Sequence, residues 1–185
     1  SNDFLTMKIN ADGTLAWEET FDYGSGADVA NAICIDDDGN VYVTGEAAAG
    51  GGSDVLTVKY DNAGNYAFDV SIADSGASGG NDIEFIDDNI YVFGYSNSSG
   101  LNQDMVLIKY ETILGIHQWT ELINGSGYAD DEGVQMIADG IELYLLGISA
   151  QSGGSGWSIA KYDTDGGEYW MEDFFTGETD FSGNN

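Results

Sequence analysis

The sequence predicts an all-β protein, a β-propeller made of four-stranded antiparallel blades, and three observations support this fold class. The only four basic side chains in 185 residues are lysines, and they recur every 50–52 residues. Each lysine lies near the end of an apolar run, which is followed by a glycine turn and a large aromatic residue. Each period contains four short strand-like runs. Self-similarity at a fixed period of about 20–50 residues is typical of propellers and other repeat arrays.

The lysine column defines the third and fourth strand-like runs of each period. The lysines are Lys8, Lys59, Lys109 and Lys161, within the apolar runs 4–9, 55–60, 105–110 and 157–162. An aspartate opens the first three runs (Asp3, Asp54, Asp104), whereas Gly156 holds that place in the fourth. The turn glycines are Gly13, Gly64, Gly115 and Gly166, and the aromatics that follow are Trp17, Phe68, Trp119 and Trp170. This order indicates a hairpin in every period.

Two further columns occur three times and supply the other strands. The run 32–36 matches 83–87 and 134–138, and the run 41–45 matches 90–94 and 143–147. These runs are rich in Val, Ile and Tyr and are bounded by Gly, Asp, Asn and Ser, as strands are. No stretch has a helical 3.6-residue period, so no helix is predicted.

Four antiparallel strands in about 50 residues match a propeller blade better than other repeats. A leucine-rich repeat of about 20–29 residues contains one strand, and a β-helix coil is shorter. A sandwich has no reason to repeat Lys, Gly and Trp in register.

The runs 36–45 and 53–60, followed by Gly64 and an aromatic, resemble the bacterial and archaeal SBBP type of β-propeller repeat. This resemblance covers nearly the whole chain. It implies a propeller on secreted or cell-surface proteins, often in large multidomain chains, and it implies no common catalytic residue. It also implies a strand order in which the run 32–36 is innermost, 41–45 second, the lysine run third and the aromatic run outermost.

We therefore expect one propeller segment over residues 1–185 that consists of an outer strand pair and three blades. The outer pair is 3–22, the blades are 26–72, 77–123 and 129–175, and 176–185 is a tail or linker. A later strand pair could complete the first blade, or the segment could belong to a larger propeller, which we favour. Two copies could not simply join into seven blades, because an outermost strand would then lie beside a third strand.

The charge is strongly unbalanced, with 33 acidic and 4 basic residues and a net charge of −29. Nucleic acid and anionic membrane surfaces are thereby disfavoured, because both are bound through Lys and Arg. Self-repulsion of this size favours a saline environment, such as that of a halophilic or marine source, or divalent cations. Many of the aspartates could instead be turn formers.

The cysteine content and hydropathy bear on compartment. Cys34 is the only cysteine, which excludes an intrachain disulfide, and it has the surroundings of a small buried hydrophobe. No apolar run reaches 18 residues, so no membrane insertion is expected. We expect an extracellular or cell-surface location, with a secretion signal in sequence outside this stretch.

Several repeated residues have both a functional and a structural interpretation. The lysines could form a ring that binds anions, or could pack on the blades and pair with carboxylates across strands or blades. Trp17, Phe68, Trp119 and Trp170 could bind sugars or could fill the space between blades, and the same holds for Tyr42, Tyr91 and Tyr144. The structural interpretation is favoured for each set.

The remaining candidates are acidic, histidine and glycine residues. The runs 36–40 and 163–167 begin like calcium loops but depart from the EF-hand pattern, so hairpin turns are favoured and Ca²⁺ is only an option. His117 is the only histidine, which excludes a histidine metal site, and we expect it at the surface. The glycine-rich stretches 50–52, 79–80 and 153–154 are predicted to be loops, before or within the connections between blades.

No residue is assigned to a catalytic, cofactor or metal site. The predicted function is a non-catalytic binding or adhesion scaffold, whose partners are other domains or subunits of a surface assembly and a glycan or protein ligand. The alternative is a carbohydrate-binding or carbohydrate-active propeller domain, because paired carboxylates cleave glycosides and acidic residues are plentiful.

Overall fold

The computed structural model describes residues 2–73, 76–98, 102–125, 129–151 and 154–175. All regular structure in this part of the chain is β-strand, in agreement with the predicted class. No helix of these residues is long and apolar enough to cross a membrane. The predicted tail, 176–185, lies outside the described residues.

The strands follow one another as antiparallel hairpins in four sheets. They are β1 (Phe4–Ile9), β2 (Leu15–Phe21), β3 (Val29–Ile35), β4 (Val41–Ala49), β5 (Gly52–Tyr60), β6 (Tyr66–Ile72), β7 (Ser78–Ile86), β8 (Asn89–Ser96), β9 (Asp104–Glu111), β10 (His117–Ile123), β11 (Asp131–Asp139), β12 (Glu142–Gln151), β13 (Gly154–Asp163) and β14 (Glu168–Phe175). The sheets are β1–β2, β3–β6, β7–β10 and β11–β14, each in chain order. We call the pair β1–β2 the outer pair and the other sheets blades 1, 2 and 3.

The hairpin turns are closed by aspartates that accept hydrogen bonds from their own backbone. The Asp36 carboxylate accepts bonds from the Asp38 and Asn40 amides, and from the Asn40 and Tyr42 side chains. Asp61 acts similarly towards Ala63 and Asn65. Such turns explain why aspartate is frequent between the strands.

The sheets stack face to face, with their first strands side by side. Strand β7 of blade 2 contacts β3 of blade 1 and β11 of blade 3, so the first strand of each blade is the innermost one. Three clusters of buried apolar side chains fill the spaces between successive sheets. The chain is therefore a run of β-propeller blades, and its sheets do not close into a ring within the described residues.

The register of the innermost strands corrects one predicted alignment. Ala30, Gly80 and Gly133 lie opposite the glycines that end the second-strand column, and the next residue in each strand is a bulge. The bulge residues are Asn31, Asn81 and Val134. Ile33 therefore matches Ile83 and Met136, one residue away from the predicted match. The turn between the first and second strands is longer in blade 1, where Ile35 pairs with Val41, than in blade 2, where Ile86 pairs with Asn89, so matching the ends of the first strands shifts the alignment by one residue.

Two of the glycine-rich stretches are not loops between blades, contrary to the prediction. Gly79 and Gly80 lie within β7, whereas Gly50 and Gly51 form the turn between the second and third strands of blade 1 and Gly52 begins β5. Gly80 is needed because a Cβ there would lie 2.4 Å from Thr44 Oγ1 of the preceding blade. The third stretch includes Gly153, which is outside the described residues, and Gly154 begins β13.

Candidate functional site: the joints between blades

Each of the first three lysines connects its own sheet to the next one. Lys8 Nζ donates a hydrogen bond to the Asn62 carbonyl at 3.1 Å, and Lys59 donates to the Thr112 carbonyl at 2.7 Å. Lys109 donates to the Thr164 carbonyl at 2.8 Å. In every case the acceptor is the third residue after the next lysine. We call this repeated contact the lysine clasp.

Lys59, Lys109 and Lys161 also lie over aromatic rings of their own sheet. Lys59 Nζ is 5.0 Å from the centre of the Tyr42 ring and 5.6 Å from that of Phe68. Both aromatics are its register partners, Tyr42 on the second strand and Phe68 on the fourth. Cation–π contacts of this kind stabilise the position of the ammonium group above the aromatic rings. The lysines therefore do not form an anion-binding ring; they face the joints.

The lysines were predicted to pair with carboxylates, but the first three bond mainly to backbone carbonyls. Only Lys161, in the last sheet, has a carboxylate as its main partner. Lys161 Nζ forms an ion pair with Glu142 at 2.8 Å, and this hydrogen bond raises the pKa of Lys161. Lys109 also lies 3.9 Å from Asp165, but its shorter bond is to the Thr164 carbonyl. A carbonyl acceptor cannot be identified from side-chain types, which explains why sequence reasoning missed it.

The outermost aromatics pack on the glycine turn of the next sheet. A Cβ at Gly64 would lie 2.7 Å from the Trp17 ring, and one at Gly115 would lie 2.6 Å from Phe68. Trp119 lies less tightly against the equivalent turn, where a Cβ at Gly166 would be 3.5 Å from its ring. These three aromatics fill the space between blades, as expected. Trp170, the last of the column, is 41% exposed.

The two end faces of the stack expose positions that the joints bury. On the third strands, Leu56, Val58 and Tyr60 face the preceding sheet and are at most 2% exposed. Their equivalents on β1 are Leu5, Met7 and Ile9, which are 51–55% exposed. We call these three residues, with the turn at Gly13, the leading face.

The opposite end of the stack has a corresponding exposed face. Val55 and Met105 face the following sheet and are 1% and 2% exposed, whereas the equivalent Trp157 is 49% exposed. We call Trp157, Ile159, Lys161 and Trp170 the trailing face. Both faces therefore consist of residues whose equivalents are buried in the joints. Among the described residues, no sheet packs against either face.

A buried aspartate ties the innermost strand to the loop that precedes it in two joints. Asp131 is fully buried, and its oxygens accept hydrogen bonds from the Gly125 and Ala150 amides. Asp28 does the same with the amides of Tyr23 and Ala48. In the corrected register Asp28, Ser78 and Asp131 are equivalent, a column that the shifted alignment concealed.

These aspartates lie near the acidic residues that open the lysine runs. Asp3, Asp22 and Asp28 place carboxylate oxygens within 4.8 Å of one another, which is a spacing that could hold a metal ion. At the equivalent place in the last joint, burial and the neighbouring Asp131 raise the pKa of Asp104. The middle joint has Asp54, Ala73 and Ser78 there, beside a cavity of about 110 Å³. The number of acidic side chains at the place held by Asp3, Asp22 and Asp28 therefore differs from joint to joint.

Polar side chains of the innermost strands are also engaged between blades. The Asn31 amide donates to the Gly80 carbonyl, and the Asn81 amide donates to the Gly133 carbonyl. Asp82 accepts a hydrogen bond from the Met136 amide. Because each of these groups bonds to the backbone of the next blade, they join innermost strands rather than surround a reacting atom.

The other sequence candidates are structural or peripheral. The aspartates of the two calcium-like runs, Asp36 and Asp163, bond to amides of their own hairpin turns. Cys34 is half-buried, and burial, followed by nearby carboxylates, raises the pKa of its thiol to about 12. His117 is exposed and bonds to Thr120 at 2.7 Å. No nucleophile–base pair is formed by these residues.

Comparisons with known proteins bear on the fold alone. No family model and no curated protein matches the chain. A solved structure described as a eukaryotic initiation factor is similar over 94% of this chain and 43% of its own, with a TM-score of 0.52 and 16% identity. A europium-containing methanol dehydrogenase is similar over 83% of this chain and 26% of its own, with a TM-score of 0.55 and 12% identity. BamB from Moraxella catarrhalis aligns with a TM-score of only 0.35.

The chain thus spans less than half the length of the first two of these structures. At identities of 12–16%, the likenesses support the β-propeller fold and carry nothing about activity.

Proposed function

We propose that the chain is a non-catalytic β-propeller module that serves as a binding or adhesion scaffold, and that its open faces pack against neighbouring blades in a larger propeller. The observation that carries this proposal is the lysine clasp, which joins successive sheets three times through equivalent donors and equivalent backbone acceptors. Blades that repeat one joint contact are typical of a scaffold, whereas a reaction centre requires one blade to depart from the pattern.

The polar groups near the innermost strands support a non-catalytic role. Asn31, Asn81 and Asp82 form backbone bonds between blades, so they are already engaged. The raised pKa of Cys34 leaves little thiolate at neutral pH, which disfavours a cysteine nucleophile. The net charge of −29 disfavours nucleic acid and anionic membranes as partners.

We also propose that the repeat is of the SBBP type, because the runs 36–45 and 53–60 resemble it. We infer from this resemblance an extracellular or cell-surface location, with other domains or subunits of a surface assembly as partners and a glycan or protein as ligand. Antibody labelling of intact source cells tests the location, because an internal protein would be labelled only after permeabilisation.

The non-catalytic assignment is tested by incubating the chain with a glycan array and analysing every bound sugar for hydrolysis products. We expect glycans to bind without being cleaved. The rate of hydrolysis of a bound glycan should equal that of the uncatalysed reaction. Reproducible turnover would overturn the proposal in favour of a carbohydrate-active domain. The matched variant is Asp82→Asn, at an acidic residue of the innermost strands: turnover that this variant abolishes would place the reaction there.

A further inference from the structure

The trailing and leading faces are the two halves of one joint, carried by the same chain. The trailing face has Trp157 where the three joints bury Phe4, Val55 and Met105. The leading face has Met7 where they bury Val58, Ile108 and Ala160. A sheet face that is always exposed to water is expected to carry polar residues at these positions. Large exposed apolar patches instead mark interaction sites.

The polar features of the joint are also present on both faces. Lys161 holds the place of the clasp donors, and it bonds to Glu142 of its own blade instead of to a following sheet. The residue in the place of the clasp acceptors on the outer pair is Ala11, the third residue after Lys8.

The aromatic contact of the joint is matched in the same way. Trp170 holds the place of Trp17, Phe68 and Trp119, and Gly13 holds the place of the glycines on which they pack. A Cβ at Gly13 would meet no atom within 4 Å, whereas ones at Gly64 and Gly115 would strike a ring. Gly13 therefore has room for an aromatic ring.

We propose that the trailing face of one copy of this chain docks on the leading face of a second copy, head to tail. Lys161 then donates to the Ala11 carbonyl of the second copy, and Trp170 covers its Gly13. The inference rests on the proposed function, because it assigns the neighbouring blades to another copy. The contact stacks sheet faces and leaves the strand edge of β1 unpaired, so it differs from the strand-to-strand joining excluded above.

The contact is heterologous, since two different surfaces of the chain meet, and copies can therefore add one after another. Both partners carry a net charge of −29, so repulsion opposes docking at low ionic strength. At about 1 M salt the screening length falls to about 3 Å, and the apolar contact can act without this opposition.

The test uses two variants of the full chain, each with one face disabled. Trp157→Asp places a charge on the trailing face, and Met7→Asp places one on the leading face, so that neither face can dock. Both residues are about half exposed, so the fold should be unaffected. The control is Ile113→Asp, at a residue that is 78% exposed in the turn between β9 and β10 and belongs to neither face. Circular dichroism verifies that all three variants are folded.

Sedimentation velocity at about 1 M NaCl distinguishes the outcomes. We expect the wild type and Ile113→Asp to associate further as their concentration rises, and each face variant alone to remain monomeric. A mixture of the two face variants should form a 1:1 dimer, because one retains each half of the joint. A monomeric wild type, association of either face variant alone, or a monomeric mixture would overturn the proposal. None of these results involves glycan turnover, so the scaffold assignment is tested separately.

Discussion

At the scale of single residues, the surroundings decide what an aspartate contributes. Asp61 lies in an exposed hairpin turn, where the Asn65 side chain and then backbone amides lower the pKa of its carboxyl. Asp104 lies at a joint, where burial and then Asp131 raise the pKa. The folded state therefore favours the ionised form of Asp61 and disfavours that of Asp104.

The two aspartates should affect stability with opposite signs. Asp61 stabilises the fold above its unfolded-state pKa, and this contribution is lost as the pH falls through its lower folded-state pKa. Asp104 destabilises the fold above its raised pKa, and this cost is relieved as the pH falls towards the unfolded-state value. Urea unfolding should show Asp61→Asn as less stable and Asp104→Asn as more stable than the wild type at neutral pH. Both differences should shrink in acid, and equal signs at neutral pH would contradict the assignment.

At the scale of strands and turns, the glycines in the turns between third and fourth strands carry two separable constraints. Gly13, Gly64 and Gly115 all have positive φ, at 85°, 91° and 71°. Only the last two also lie against an aromatic ring of the preceding sheet. Gly13 is therefore a matched control for backbone strain without the contact.

We predict that Gly64→Ala and Gly115→Ala lower the free energy of unfolding more than Gly13→Ala does. All three substitutions carry the cost of a left-handed residue, about 1 kcal/mol. The first two also displace Trp17 or Phe68, at a further cost of about 1–3 kcal/mol. Denaturant titration measures the difference, and three equal losses would mean that the aromatics do not pack on the turns.

The lysine clasp allows a similar comparison. Lys59→Met keeps the apolar stem and removes the donor to the Thr112 carbonyl, so we expect a loss of about 1–3 kcal/mol. Lys161→Met removes an exposed ion pair with Glu142 and ring contacts within its own blade, but no bond to another sheet, so we expect a smaller loss than for Lys59→Met. Chemical denaturation of both variants in dilute solution provides the test. Equal losses would show that the bond between blades adds nothing.

The strand pattern and the aromatic fillers could be predicted from the sequence, because they depend on side-chain type and period. The register of the innermost strands could not, since the turns that follow them differ in length and the strand ends Ile35 and Ile86 look alike although they are not equivalent. The clasp acceptors at Asn62, Thr112 and Thr164 are backbone carbonyls, which no side-chain pattern reveals. The buried Asp28 and Asp131 became a column only once the bulges fixed the register.

At the scale of the whole molecule, the net charge of −29 opposes compaction. We predict that the melting temperature rises from low salt to about 1 M NaCl, because the screening length falls to about 3 Å. Differential scanning calorimetry on dilute protein measures the change. Potassium chloride is the control, since screening should not depend on which monovalent cation is present. An unchanged melting temperature would show that repulsion between the carboxylates is not a significant cost.

The central claim is that the described blades share one type of joint and that blade 3 exposes its half of that joint among the described residues. The most direct measurement is the rate of thiol labelling at three equivalent positions, in the variants Val55→Cys, Met105→Cys and Trp157→Cys. Labelling of the wild-type chain, in which burial raises the pKa of the Cys34 thiol, provides the background rate. In dilute solution we predict slow labelling at 55 and 105, which are 1% and 2% exposed, and fast labelling at 157, which is 49% exposed. Fast labelling at either of the first two positions, or slow labelling at 157, would contradict the account.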